Sequence, residues 1–187
     1  IPSDETLAQH AVDQASNLAQ ALKEATNTIQ SARKTADSDM VASVKTINDL
    51  LAQFESVNTR IVQANAGNRD ATNDLDERDR LIGQIANEIS IRTTVRSTGD
   101  MQIFTDGGIT LFDSVPRNVS IVPTTAFDAT SHGQPVMIDG LPVTGPNAMM
   151  SVQSGRLAGL ATLRDETAPA YQNQMDEMAR GLITSFS

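Results

Sequence analysis

The residues best suited to bind a metal or shuttle a proton near neutrality are His10 and His132, and they lie in different parts of the chain. Neither has a partner at metal-ligand spacing, so surface or partly buried imidazoles are expected. Asp76-Glu77-Arg78-Asp79 gathers four titratable side chains that acid–base chemistry could use. Its signs alternate along a helical stretch, which instead predicts a solvated face or an ion-pair network. Asp106-Gly107-Gly108 lacks the lysine and the following helix of a phosphate loop, and reads as a turn. With no cysteine, disulfides, thiolate zinc sites and cysteine nucleophiles are excluded. No catalytic, cofactor-binding or metal site is expected, and no cofactor.

Composition narrows the partners. The formal net charge is −9, and phosphate binding needs clustered Lys and Arg, so nucleic acid and anionic membrane surfaces are disfavoured. No apolar run approaches the ~20 residues of a membrane span. Residues 1–6 carry neither the basic nor the apolar region of a secretory signal. A chain that begins with Ile and ends in a still-periodic pattern is expected to be an internal fragment. Aromatic residues make up only 3% of the 187 positions. Such side chains suit helices packed closely over long seams.

The elements that would hold such seams are legible as periodicity. No glycine or proline occurs between Ser3 and Ala66. Ser3 is a candidate N-cap, with Asp4 and Glu5 placed for the positive end of the helix dipole. Apolar positions follow at Ala11, Ala15, Leu18, Leu22, Ala25, Ile29, Ala32 and Ala36, then Met40, Val44, Ile47, Leu51, Phe54 and Ile61. Steps of four and three define a coiled-coil seam, and the repeated fours around Ala36 insert an extra step that locally unwinds it. Asp37 or Ser38 could cap a second helix there, but the missing breakers favour one continuous helix. Gly67 ends it. A second helix is predicted over 73–90, with Leu75, Ile82, Ile85 and Ile89 as its apolar stripe, Leu81 and Ala86 flanking, and Asp74/Arg78 and Asp76/Arg80 as i,i+4 pairs.

From Ile91 the period becomes two, and six of seven prolines and nine of eleven glycines lie beyond Val95. Strands are predicted at 91–95, 101–105, 109–112, 119–122 and 135–139. Helix returns after Ser154, with Tyr171, Met175, Met178, Leu182 and Ser185 or Phe186 again spaced by four and three. The methionines are expected to fill that seam. Pro169 either kinks this helix or sits in its first turn. The pattern predicts an α+β fold: a coiled-coil-like helical bundle, residues 1–90 plus 151–187, with a small, mostly antiparallel β domain inserted over 91–150.

Two stretches resemble a known family. Asn65-Ala66-Gly67 followed by Asn73–Ile82, with Leu75, Asp76, Arg78 and Asp79, is similar to the Leu-Asp-x-Arg-Asp helix of the flagellar hook-associated protein 1 family. Ser154–Leu160, with Gly155, Leu157, Gly159 and Leu160, continuing to Leu163–Glu166, resembles that family's return from its β domain into the C-terminal helix. One departure is Asp74, where the family commonly has a second leucine. A larger one is that the family's terminal segments lie outside these residues. The resemblance implies a structural, non-enzymatic component joining hook to filament in the bacterial flagellum, exported through the flagellar type III secretion channel and extracellular. It also implies as partners further copies in a ring, hook protein, a neighbouring junction protein or flagellin, and an export chaperone. Alone, this fragment is expected to be monomeric. The alternatives are a flagellin-like filament protein or other junction protein, and, in a different class, a helical ligand-sensing domain with little β structure.

Overall fold

The computed structural model describes residues 2–128 and 131–185, with side chains from residue 5 onward. The N-cap expected at Ser3 and the seam position at Phe186 lie outside that description.

Helix α1, Pro2–Ala66, is a single helix of 65 residues, on the order of 100 Å at 1.5 Å per residue. Asp37 therefore caps nothing in α1; it lies mid-helix and buried. At the C-terminus Gly67 N donates to Gln63 O and Ala64 O, and Arg69 N to Ala64 O at 2.8 Å. The left-handed residue is Asn68 (φ 54°) rather than the glycine before it, one of the few side chains that tolerate this conformation.

Helix α2, Thr72–Glu88, starts where Asp70 Oδ1 accepts from Thr72 N and Thr72 Oγ1. Its buried stripe is Leu81, Ile85 and Ile89, with Ile82 half-buried, while Leu75 is partly exposed and Ala86 exposed. The stripe is thus rotated from the expected one, because α2 packs on α1 and the strands at once. Nor do the expected i,i+4 pairs form: Asp74 reaches across to Arg60 of α1 at 2.8 Å, and Arg80 pairs with Glu77.

Two antiparallel sheets follow. The first has order β1-β2-β3-β4 (Ile91–Val95, Met101–Thr105, Thr110–Asp113, Val115–Pro116). The β1–β2 register pairs Ile91 with Thr105 and Val95 with Met101, and a bulge at Ile103/Phe104 interrupts β2–β3. The second has order β5-β6-β7 (Val119–Ser120, Met137–Ile138, Leu141–Pro142). Here Asp139 (φ 47°) and Gly140 (φ 81°) make a two-residue hairpin turn of the kind that needs positive φ at both positions. Strands expected over 119–122 and 135–139 shrink to two residues each, and β4 and β7 have no counterpart in the periodicity. Strands of two residues are too short to show an alternation.

Helix α3, Arg156–Thr162, runs through a π turn, Leu163–Thr167, into α4, Ala168–Ser185. Pro169 lies in the first turn of α4 and does not break it. The core is continuous from Met40 to Ala158, crossing α1, α2, both sheets and α3. At its centre Phe54 and Phe112 meet edge to face, with centroids 4.9 Å apart.

The expected seam positions differ in burial between the two halves of α1. Val44, Ile47, Leu51, Phe54 and Ile61 are buried. Among residues 5–32, by contrast, no side chain is fully buried. Leu22 and Ile29 are half-buried, and Leu18 is 46% exposed. On α4, Met175 and Leu182 are half-buried, whereas Tyr171 and Met178 are exposed. The pair touches along one open groove lined by Leu22, Met175 and Leu182, and the seam residues outside it face outward.

Candidate functional site

The second stretch singled out by sequence meets the C-terminal end of α2, beyond the first. Ser90 N donates to Ser154 O at 3.2 Å, joining the start of the β segment to its end. Gly155 (φ 93°) is indispensable there, since a Cβ would lie 3.0 Å from Glu88 O and Ile89 Cα. Leu157 is fully buried beneath this junction, and Leu160 packs partly buried on the core. Gly159 faces open space. Of the α2 motif, Arg78 turns inward and donates from Nη1 to Gly99 O at 3.1 Å, while Asp76 and Asp79 stay exposed. The cluster that could have suggested acid–base chemistry is thus one structural arginine and a solvated acidic face.

Three asparagines of α1, which the periodicity treats as polar filler, hold the sheets. Asn48 brackets Val119, donating to its carbonyl at 2.8 Å and accepting from its N–H at 3.2 Å. Asn58, buried, accepts from Met101 N and donates to the Asp100 carboxylate. Asn65 donates to Thr98 O. A side-chain amide carries a donor and an acceptor, so it replaces a strand partner. Asn58→Leu leaves Met101 N and Asp100 without their partner. It is expected to cost about 1–3 kcal/mol, read as a lower urea midpoint; an unchanged midpoint would mean the clamp is dispensable. Beside it, Arg96 pairs with Asp100 and Asp113, and holds the exposed Asp113 carboxyl below the ordinary carboxylate range.

A third feature is a buried ion cluster. Arg33 and Arg164 are each 0% exposed, and Asp37 and Asp165 are nearly so. Arg164 forks onto Asp165 with Nε and Nη2 (3.0 and 2.8 Å), reaches Asp37 with Nη1, and donates to Gln134 O from Nη2. Arg33 donates from Nε to Arg164 O at 3.0 Å, and from its two amino groups to Asp128 O and Ser131 O. Its guanidinium lies 4.4 Å over the Phe127 ring, a cation–π contact. Asp37 accepts from Thr124 N and Oγ1, and Asp165 from Gly133 N. Burial pushes Arg33 down from its ordinary value, with the Asp165 charge opposing. Gly133 is required at its position, since a Cβ would sit 2.2 Å from Arg164 Cζ. Two cations and two anions balance, and each guanidinium nitrogen of both arginines donates a hydrogen bond, as burial of charge demands. The sequence signal was present but unread: Arg33 and Asp37 are an i,i+4 pair at the step where the heptad count shifts.

The last feature is the arm: residues 5–32 of α1, along the later part of which α4 runs back, with Gln172 Nε2 meeting Thr26 Oγ1 at 3.5 Å. A groove between them is lined by Ala19, Leu22 and Thr26 on one side and Met175, Ala179 and Leu182 on the other. Leu7, Val12 and Leu18 on α1, and Tyr171, Met178 and Ile183 on α4, are exposed apolar side chains. Six large apolar residues on one two-helix arm are the composition of an interface.

His10 and His132 are both exposed. Among the described residues no group of three or more His, Asp or Glu is placed to hold a metal ion, and no described helix is long and apolar enough to cross a membrane. A cleft of about 690 Å³ opens between His132, the 144–155 loop and the π turn. Of the two carboxylates on its wall, Asp165 is already committed to Arg164 and Gly133, and Glu166 is exposed to solvent.

Over residues 1–187 the chain matches the family model described as "Flagellar hook-associated protein FlgK helical domain". Among solved structures it is similar to "The structure of the flagellar hook junction protein FlgK from Burkholderia pseudomallei", with a TM-score of 0.58 and 21% sequence identity over 85% of this chain. At that identity the likeness shows the fold. The chain spans 28% of that protein's length. No curated protein sequence matches it.

Proposed function

Because the chain belongs to the family of flagellar hook-associated protein FlgK helical domains, we propose that it is a structural segment of the flagellar hook–filament junction and not an enzyme. The observation that carries this reading is the arm: a 65-residue helix of which residues 5–32 bury no side chain fully. A single chain keeps such a surface only where neighbours cover it. On this reading residues 1–90 with 151–187 form the rod that lies along the assembly, and residues 91–150 form a β domain inserted into it. The neighbours are copies of the same protein in a ring, hook protein on one side, and a second junction protein or flagellin on the other. Export would run through the flagellar channel with a dedicated chaperone, to an extracellular position.

The test is deletion of the gene that encodes the parent protein. Hooks without filaments, with flagellin shed into the medium, are expected; normal filaments and motility would sink the proposal. The two sheets also count against a helical ligand-sensing domain, which is a four-helix bundle with little β structure.

One consequence concerns the chain by itself. The arm is a pair of helices with an open groove, and an interface that tight needs more area than one shallow seam offers. In light scattering the 187-residue chain is expected to be monomeric or weakly associating. A stable ring of many copies would show that the segments beyond it are not needed for assembly.

A further inference from the structure

The π turn between α3 and α4 has a cause that can be traced atom by atom. Within it Ala168 N donates to Leu163 O, five residues back. Continuing that pattern, Arg164 O would accept from residue 169; in an ordinary α-helix it would accept from residue 168. The first is Pro169, which has no N–H, and the second is already committed to Leu163 O. Arg164 O is therefore left without a backbone donor in a fully buried position. Arg33 Nε, projecting from α1, donates to that carbonyl at 3.0 Å.

We infer that Arg33 supplies the hydrogen bond that Pro169 cannot, and that this substitution makes the π turn a joint setting the course of α4 along α1. An extra residue in one helical turn rotates everything beyond it and marks a point where a helix is redirected. Left to itself the turn would be costly, because a buried carbonyl would be unsatisfied. Held by Arg33 it is pinned to one place on α1. The same guanidinium also holds the carbonyls of Asp128 and Ser131, and the next residue of the turn, Asp165, holds Gly133 N. One side chain thus ties the direction of the arm to the loop that leads back to the second sheet.

The experiment is a rescue. The chain has no cysteine, so Ser16→Cys on α1 and Thr184→Cys on α4, both exposed, give a spin-label pair across the arm. Three forms of the full chain are compared: the parent, Arg33→Lys, and Arg33→Lys with Pro169→Ala. Lysine keeps the charge but loses the Nε donor, and alanine restores the missing backbone N–H. Arg33→Lys is expected to broaden the inter-label distance distribution and to speed exchange of the α4 amides about ten-fold. Adding Pro169→Ala is expected to narrow the distribution again and restore the α4 amides, while amides at 124–128 and 131–136 stay fast in both variants. A distribution unchanged by Arg33→Lys, or equally broad in the double variant, would overturn the inference. If Arg33→Lys alone does not fold, folding of the double variant supports the inference and failure of both overturns it.

Discussion

Replacing Arg164 with methionine is expected to destabilise the protein by about 3–5 kcal/mol. Methionine matches much of the volume of the arginine stem but leaves the carboxylates of Asp37 and Asp165 facing each other in a buried site. Each keeps only its neutral donors, Thr124 and Gly133. The cost is that of stranding charge, not of losing an attractive pair, since a buried ion pair gains little net stability over apolar residues of like shape. That distinction gives an internal control. A double variant, Arg164→Met with Asp37→Asn, leaves Arg33 opposite Asp165, one cation to one anion, and is expected to recover a large part of the loss. Thermal melts of the parent, single and double variants decide it. Equal loss in both variants would place the energy in packing around Arg164 and not in its charge.

The second large effect is expected from Leu51→Asp. Leu51 is 0% exposed in the middle of the core, and Phe54, Ile47 and Leu50 of its own helix are buried with it. Truncating a buried leucine already costs about 2–5 kcal/mol through lost transfer energy and the cavity left behind. An unpaired carboxylate adds its own desolvation or takes up a proton to avoid it. Against a total stability of roughly 5–15 kcal/mol for a domain, the chain is expected to lose its cooperative melt altogether. Leu18→Asp is the matched comparison on the same helix and the same heptad reading. Leu18 is 46% exposed, so a change within about 0.5 kcal/mol is expected. If the two substitutions were equally harmful, the arm would be buried in solution, and association of the chain with itself would be the reason.

The contrast between those two leucines marks how far sequence reached. One continuous α1 followed from the absence of glycine and proline over more than sixty residues, because nothing else terminates a helix so reliably. The switch to period two at Ile91 matched β1 and β2 residue by residue and β3 to within one, but not β4; of these only β2 shows the buried alternation of a strand with one covered face. The motif stretches around Leu75–Asp79 and Ser154–Leu160 were recognisable, the first as a helix and the second as the return from the β segment. Which of their residues point inward was not. Arg78 is buried while Asp76 and Asp79 are solvated, a matter of the rotation of α2 against two neighbours at once.

Tertiary structure alone decided the rest, for the reason that periodicity counts apolar residues and is blind to polar ones whose partners lie far along the chain. Asn48 and Val119 are 71 residues apart, and Arg33 and Arg164 are 131 apart. No local pattern connects them, yet they hold the sheets to α1 and set the course of α4. The same blindness works in reverse on the arm. Leu18, Tyr171 and Met178 have the spacing of a seam, and the sequence alone determined that they could line one. That they face outward here was decided by how α4 is rotated against α1, which turns Leu22, Met175 and Leu182 into the groove between them instead.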